Sequence, residues 1–256
     1  NMGDRFLLGR LGTLDDVGIY ALGYKFGMML SVLIGGPFYS IWQPKRVEVF
    51  KKRENRDEIF TRILTYLFLA LAFSALALTV AIKDIMVFLA PPEYYAAHQI
   101  VPLIALGYIF YILYYLFDIG FYINNKTFWY PVINATAVVV NIGLNFLLIP
   151  KYGALGAAIV TAISFFICPF MAFLISQHYH RLTYDFVRIL KISILAVAIF
   201  FLAGYIDTGM LYLDISLKLI SVFLMPLFLY AVKFFDQREL SFLRDQLQAR
   251  LNWART

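Results

Sequence analysis

Long uncharged apolar runs alternate with short polar connectors along most of this 256-residue chain. The two clearest runs are residues 127–150 and 152–180, neither of which contains an Asp, Glu, Lys or Arg. About 20 residues of α-helix cross the ~30 Å hydrocarbon core of a bilayer, so each run is long enough to span a membrane. The stretch PKYG at 150–153 leaves room only for a turn between them. The pattern therefore predicts two antiparallel membrane helices.

The same pattern predicts an all-α membrane protein, a polytopic helical bundle with seven complete spans. Residues 1–16 have too few apolar residues to span alone and indicate the end of one more helix. We therefore expect a fragment, or a chain that starts at Met2. Gly23 and Gly27, four residues apart, predict a helix face that a second helix can approach closely. The predicted spans are 17–42, 63–82, 99–123, 127–150, 152–180, 186–206 and 215–235.

Composition supports this class, because 62% of the residues are hydrophobic and only 15% are charged. Soluble domains are nearer half apolar and a quarter charged. The net charge of +6 indicates orientation rather than nucleic-acid binding, since the basic residues cluster between spans. Counted by side, sixteen Lys and Arg belong to one side of the predicted spans and five to the other, and Lys25 lies well inside a span. This asymmetry predicts a cytoplasmic C-terminus and places residue 1 outside.

The end of the chain has a different pattern. Leu240, Leu243, Leu247 and Leu251 recur at helical spacing, and arginines occupy other faces of the same helix. The pattern predicts an amphipathic helix over 237–256. Such a helix either lies on the inner membrane surface or docks on the protein's own loops.

Charged side chains inside spans are candidate functional residues, because each costs roughly 2.5–3.5 kcal/mol at the centre of an inserted helix. Lys25 lies in the first complete span, Asp118 in the third, and Asp4 and Arg5 in the truncated one. Each also has a structural interpretation. Lys25 could extend to the interface, Asp118 could form an ion pair or a hydrogen bond between helices, and Asp4 could pair with Arg5.

A tyrosine stripe leads to Asp118 along one span. Its members recur at spacings of 3, 4, 3 and 4, so they share one helical face. Tyrosine combines a flat apolar ring with a hydroxyl group, which suits a wet cavity that holds sugars. Packing and aromatic belts at the membrane interface are the alternative. The stripe consists of Tyr108, Tyr111, Tyr115, Asp118 and Tyr122.

Three asparagines in the following span also share a face, namely Asn134, Asn141 and Asn145. They predict hydrogen bonds between helices or the lining of a cavity. Signatures of enzymes are missing from the sequence, which has no HExxH, GxSxG, P-loop or clustered Cys and His. We therefore predict no catalytic residue, no cofactor and no bound metal.

Three segments carry a family resemblance: DRFLLGRLGTLDDVGIYALGYKFGMML from Asp4, GGPFYSIWQPKR from Gly35, and NFLLIPKYGALGAAIVTAIS from Asn145. They resemble the C-terminal half of polysaccharide flippases of the O-antigen type. These flippases belong to the multidrug/oligosaccharidyl-lipid/polysaccharide exporter superfamily. The likeness extends to about Phe235, although from residue 187 onward it rests on hydropathy alone.

The resemblance implies the C-terminal lobe of a transporter with a MATE-like fold, in which two six-helix lobes face each other across a central cavity. Residues 1–178 would form one lobe with a truncated first helix, 179–235 two additional spans, and 236–256 a cytoplasmic tail. The N-terminal lobe of the same transporter, which is missing from this chain, would be its partner, together with membrane lipids.

The family moves undecaprenyl-diphosphate-linked oligosaccharides across the inner (plasma) membrane by alternating access, and this implies roles for individual residues. A diphosphate that enters an apolar cavity needs cations, which assigns Arg5 and Lys25 to the headgroup. Tyr108, Tyr111 and Tyr115 would contact sugars. The other implied roles are coupling or gating for Asp4 and Asp118, a hinge at Gly35, Gly36 and Pro37, and H⁺ or Na⁺ as a coupling ion.

Three alternatives remain open at this stage. A multidrug or organic-cation antiporter of the same fold would use Asp118 and its tyrosines, but it would not favour inward-facing cations such as Lys25. A membrane enzyme that acts on polyprenyl-linked sugars would need a catalytic acid or base and a sizeable outer loop. A scaffold subunit would not transport at all.

Overall fold

The computed structural model describes residues 2–51 and 55–236, and all of its long elements are helices. Six stretches are long and apolar enough to cross a membrane. The all-α, polytopic fold class is therefore confirmed, whereas the predicted tail helix at 237–256 lies outside the described residues. The helices are α1 Met2–Leu11, α2 Leu14–Leu30, α3 Gly36–Lys51, α4 Arg56–Leu89, α5 Val101–Phe117, α6 Ile119–Ile123, α7 Trp129–Tyr179, α8 Phe186–Gly204, α9 Leu211–Phe223 and α10 Met225–Ala231.

Helix α7 is a hairpin of two antiparallel halves, as the PKYG connector predicts. Gly153 reverses the chain with φ 53° and ψ −131°, a conformation that favours glycine. The two ends of α7 meet, because Trp129 Nε1 donates a hydrogen bond to the Tyr179 hydroxyl at 3.3 Å. The Asp16 carboxylate holds the turn in place by accepting a 3.0 Å hydrogen bond from the backbone N–H of Ala154. Because α7 is one of the six apolar stretches and contains two halves, the structure has seven spans, the number predicted.

A π-helical turn, Ser31–Gly35, joins α2 to α3 where Gly35, Gly36 and Pro37 predict a weak point. The chain does not break there, and Leu14–Lys51 forms one continuous helical stretch of 38 residues. Pro37 lacks an N–H, and the wide turn just before it accommodates the missing helical bond. The segment from residue 45, assigned by the sequence to a basic loop, is therefore helical as far as Lys51.

Helix α5 lies at the centre of the bundle, between α2, α4 and the second half of α7. Gly23 and Gly27 let α2 approach it closely, as their spacing predicts. A Cβ added to Gly27 would lie 2.5 Å from Cγ2 of Ile104. A 3₁₀-helix, Pro92–Gln99, leads into α5 from the end of α4. The last helices, α8 to α10, pack on the outside of α4 and on one another, and most of their side chains are exposed.

Candidate functional site

Part of the tyrosine stripe and the predicted hinge meet in one cavity of about 230 Å³, which we call the tyrosine cleft. The hydroxyl groups of Tyr111 and Tyr115 lie 2.9 Å apart. The ring of Tyr39, on α3, meets the ring of Tyr115 edge-on with 4.4 Å between centroids. The predicted hinge and the tyrosine stripe, which lie far apart in the sequence, are therefore neighbours in the structure. The cleft is lined by Ser31, Gly35, Gly36, Phe38, Tyr39, Tyr111, Ile112 and Tyr115.

Tyr108, the third tyrosine assigned to sugar contact, is placed differently. It is buried, and its hydroxyl lies 2.6 Å from the hydroxyl of Tyr24 on α2. Its ring also packs edge-on against Phe165 of α7, with 5.4 Å between centroids. Tyr108 therefore joins α2, α5 and α7 rather than lining the tyrosine cleft, because the close approach of α2 covers this end of the stripe.

Asp118 lies in the corner between α5 and α6 and is only 1% exposed. Nη1 of Arg46 donates to both of its carboxylate oxygens, at 2.6 and 2.7 Å. The hydroxyl of Tyr130 donates to the same carboxylate at 2.7 Å. The Arg46 guanidinium also stacks over the ring of Tyr122, 4.0 Å from its centroid. These four residues form the Asp118 network, which fastens the end of α3 to α5, α6 and α7.

Arg46 is the functional candidate that sequence reasoning missed. Its place next to Lys45 assigned it to a basic loop, but it lies in α3 and is 3% exposed. The available signal was Asp118 itself, since a carboxylate buried in a span requires a compensating partner. The ion-pair interpretation of Asp118 agrees with this geometry. Tyr115 lies one helical turn before Asp118 on α5, so the Asp118 network lies beside one end of the tyrosine cleft.

Tyr184 packs directly behind the Asp118 network, in the connector before α8. Its ring meets Phe117 edge-on, with 5.3 Å between centroids. Burial, followed by the negative charges of Asp57 and Asp118, raises the pKa of the Tyr184 phenol. The phenol therefore remains neutral and adds no charge beside the network.

Asp4 lies in a second buried polar cluster, the Asp4 network, where α1, α2 and both halves of α7 meet. Its carboxylate accepts a 3.1 Å hydrogen bond from the Tyr20 hydroxyl and a 2.9 Å bond from the Asn145 amide. The Tyr20 hydroxyl lies 2.9 Å from the hydroxyl of Thr161, and Asn145 also donates to Asn141 at 3.1 Å. Of the three asparagines predicted to bond between helices, Asn145 therefore does so through Asp4. Asn141 is linked to Asn145 on its own helix half, and Asn134 donates to the carbonyl oxygen of Tyr130 in its own helix.

Oxygen atoms dominate the Asp4 network, which includes a carboxylate, two amide oxygens, a phenol and a threonine hydroxyl. The Oδ1 atom of Asn145 is buried and has no hydrogen-bond partner among the residues that the structure describes. Carboxylate, amide and hydroxyl oxygens are the ligands that hard cations prefer. The cluster therefore offers the types of oxygen ligand that a small cation requires.

Arg5 and Lys25 do not line the tyrosine cleft. Lys25 is exposed on α2 beside Met28 and Met29, and it forms no ion pair with a residue that the structure describes. Arg5 is half-buried, and its Nε atom has no hydrogen-bond partner within residues 2–51 and 55–236. Their assignment to a headgroup stays a prediction, and in this chain they are separate from the tyrosines.

No protein-family model matches the chain, and no curated protein matches it. A solved structure does match, that of the lipid II flippase MurJ in an inward closed conformation. The TM-score is 0.58 at 19% sequence identity, and the match covers 89% of this chain and 52% of that one. The likeness is one of fold. This chain has the helical fold of a polytopic membrane protein and spans about half the length of that flippase.

Proposed function

We propose that this chain is one lobe of a flippase that moves polyprenyl-diphosphate-linked oligosaccharide across the inner membrane for polysaccharide or O-antigen biosynthesis. The observation that carries the proposal is the tyrosine cleft, within a fold shared with a lipid II flippase. The resemblance of three sequence segments to O-antigen flippases supports the finer substrate class. Transport by alternating access requires a second lobe opposite this one.

The tyrosine cleft suits carbohydrate because it offers rings and hydroxyls together. Sugars present apolar C–H faces that pack on aromatic rings and hydroxyls that hydrogen-bond to phenols. Tyr39, Tyr111 and Tyr115 supply both at the cleft wall. The rings are held at fixed angles by their edge-on contacts, so the wall is ordered before a ligand enters.

Arg5 and Lys25 are the cations we assign to the diphosphate headgroup. A phosphate that leaves water for an apolar environment needs positive partners. Arg5 keeps a buried Nε donor without a described partner, and Lys25 is exposed on α2. We place both on the surface that faces the second lobe, so that headgroup and sugar occupy neighbouring parts of one central cavity.

The Asp118 network is the gate in this proposal, and the π-helical turn with Gly35, Gly36 and Pro37 is its hinge. The network fixes the end of α3 against α5 and α7 through an ion pair and a phenol. The π-helical turn is the irregular point of the same helix, and such turns recur at functional sites. Movement of α3 about the turn would open or close the cleft beside Tyr39.

The Asp4 network is the coupling site in this proposal, with H⁺ or Na⁺ as the ion. Its oxygens meet from three helices, so an ion bound there stabilises one packing of α1, α2 and α7. A ligand shifts a conformational equilibrium only through such differential binding. Transport that depends on Na⁺ rather than on pH would identify the ion.

The test is translocation by the complete transporter with altered tyrosines. We expect replacement of both Tyr111 and Tyr115 by Ala to abolish surface polysaccharide at normal protein level. Replacement of both by Phe should keep the rings and lose part of the activity. Tyr212→Ala, an exposed tyrosine on α9, is the matched control and should behave like the parent. A normal amount of surface polysaccharide in the double Ala variant would refute the proposal that the tyrosine cleft contacts the oligosaccharide.

A multidrug antiporter of the same fold is the second candidate, because aromatic rings and acids also bind organic cations. The geometry of Asp118 counts against it. Both carboxylate oxygens already accept from Arg46, so this acid is not available to a cationic drug. Altered drug resistance with intact polysaccharide in the tyrosine variants would favour the antiporter.

A further inference from the structure

A cavity of about 600 Å³ lies where α8 and α9 meet α4 and the start of α5, away from the tyrosine cleft and from both networks. This volume is in the range of small-molecule sites in proteins. We call it the α8–α9 cavity. Its charged and ionisable lining consists of Lys83, Asp84, His98, Asp207, Asp214 and Lys218.

The cavity opens at one end of the bundle, where several helices end or begin. Helix α4 ends at Leu89, α8 ends at Gly204 and α9 begins at Leu211. The ends of membrane helices lie at the membrane interface, at the depth of lipid headgroups. Phe200 and Phe201 form part of the wall, and Phe201 is 64% exposed on the outside of the bundle. The wall is therefore continuous with a surface that faces lipid chains.

A buried ion pair forms a fixed part of the lining. Nζ of Lys218 donates to the Asp84 carboxylate at 2.5 Å, and both side chains are largely buried. Asp214 is held as well, because its Oδ1 accepts bonds from the backbone N–H and the hydroxyl of Thr208, at 2.8 and 2.7 Å. Asp84, Lys218 and Asp214 are therefore held by partners within the protein, and their role is to fix the shape of the cavity.

Three other groups are available to a ligand. Lys83 and Asp207 are both exposed, and neither forms a hydrogen bond or ion pair with a residue in the part of the chain that the structure describes. His98 is partly buried, and its Nδ1 lies 2.6 Å from the carbonyl oxygen of Tyr95. The Nδ1 atom therefore donates to that oxygen, which leaves Nε2 as the open ring nitrogen.

The charge pattern decides the class of ligand. Three carboxylates and two ammonium groups line the same cavity, so a pure anion meets excess negative charge and a pure cation meets Lys83. A zwitterion matches both signs. We infer that the α8–α9 cavity binds the headgroup of a zwitterionic aminophospholipid, with its phosphate at Lys83 and its ammonium at Asp207. This inference does not depend on the proposed function.

A primary ammonium is the better match for Asp207 than a quaternary one. It donates hydrogen bonds to a carboxylate, which a quaternary ammonium cannot do. The cavity should therefore prefer phosphatidylethanolamine to phosphatidylcholine, although both headgroups are zwitterionic. The acyl chains would follow the exposed wall at Phe201. A soluble headgroup without chains lacks that contact and should bind far more weakly.

The test places the purified protein in nanodiscs of equal parts phosphatidylethanolamine, phosphatidylcholine and phosphatidylglycerol, and counts retained lipids by native mass spectrometry. We expect selective retention of phosphatidylethanolamine. Lys83→Gln and Asp207→Asn should each reduce it about fivefold, the effect of one exposed ion pair of about 1 kcal/mol. Soluble glycerophosphoethanolamine at equal concentration should not displace the lipid.

Lys151→Gln is the matched control, because Lys151 is an exposed lysine at the α7 hairpin and does not line the cavity. It should retain lipid like the parent. Equal retention of the three lipids would overturn the inference, and so would parental retention in both cavity variants. Displacement by the soluble headgroup would also overturn it, because the occupant would then be a water-soluble zwitterion.

Discussion

The Asp118 and Asp4 networks are two solutions to the same problem, a carboxylate buried in a membrane span. At Asp118 the compensation includes a permanent cation, since Arg46 contacts both oxygens and Tyr130 adds a third bond. At Asp4 the partners include the phenol of Tyr20 and the amide of Asn145, which both donate hydrogen bonds to the carboxylate. An arginine brings a positive charge to its partner, whereas phenols and amides contribute hydrogen bonds without a charge.

In the proposed function, the difference between the networks corresponds to a mechanical role for Asp118 and a coupling role for Asp4. A carboxylate paired with arginine holds helices together until the pair breaks. The role proposed for Asp4 requires instead that its carboxyl group change its proton or cation content while the surrounding helices stay packed. The following substitutions would test this division, beginning with the largest expected effect.

Arg46→Ala should have the largest effect, because it leaves the buried Asp118 carboxylate without its cation. We expect a loss of about 3–5 kcal/mol in the free energy of unfolding. Thermal unfolding in detergent would measure it. Arg62→Ala is the control, since the exposed pair of Arg62 with Glu58 contributes under about 0.5 kcal/mol. Equal losses in the two variants would contradict the division. Adding Asp118→Asn to Arg46→Ala should recover part of the stability.

Gly27→Ala should have the second largest effect, because it displaces α2, the helix that carries Tyr20, the hydrogen-bond partner of Asp4. The new Cβ would lie 2.5 Å from Ile104 and force α2 away from α5, at a loss of about 1–3 kcal/mol. Gly143→Ala is the control, since a Cβ there meets nothing within 4 Å. It should be neutral or stabilise the helix by up to about 1 kcal/mol. Identical unfolding midpoints would mean that α2 tolerates the added methyl group.

Asp4→Asn tests coupling directly. The variant keeps an acceptor for Tyr20 but cannot lose a proton or offer a carboxylate to a cation. We expect translocation by the complete transporter to fall at least tenfold, about 1.4 kcal/mol in activation free energy, and to lose its response to Na⁺ or to pH. Asp15→Asn, at an exposed carboxylate in the first turn of α2, should leave both unchanged. An unaltered ion response in Asp4→Asn would remove Asp4 from the coupling site.

A matched pair of Tyr→Phe variants should give the smallest effect and the sharpest comparison. Tyr130→Phe removes one bond to Asp118 while both Arg46 bonds remain, so we expect about 1 kcal/mol less stability and an unchanged ion response. Tyr20→Phe removes the corresponding bond to Asp4 and should shift the Na⁺ or pH midpoint of transport. If Tyr130→Phe shifted the midpoint as much as Tyr20→Phe, the two networks would share one role.

Local patterns were enough to predict the helices and the hairpin. The length of an uncharged run and one glycine at a turn are properties of short segments, so the halves of α7 meet as expected. Helix ends were harder to place. Arg46 was assigned to a connector and Lys218 was counted with one side of the membrane, but each lies within a helix and pairs with a distant carboxylate. A count of charges does not show where the helix that carries them ends.

Contacts between distant segments could not be predicted from periodicity. Tyr108 shares a face with Tyr111 and Tyr115, yet only the last two line a cavity, because Gly23 and Gly27 bring α2 over the first. The partners of Asp4 lie as far as 141 positions away along the chain. The substrate contacts proposed for Arg5 and Lys25 depend on a second lobe, so this chain alone cannot bring them to the tyrosines.

The π-helical turn at Ser31–Gly35 also sets the direction in which the side chains of the following helix point. Relative to an α-helix, such a turn contains one extra residue, and one residue corresponds to about 100° of rotation about the axis. Tyr39 and Arg46 both lie downstream, so the insertion aims one at Tyr115 and the other at Asp118. Deleting a single residue here would rotate both side chains by more than a quarter of a circle. The helix would then lose its contact with Tyr115 and its ion pair with Asp118 together.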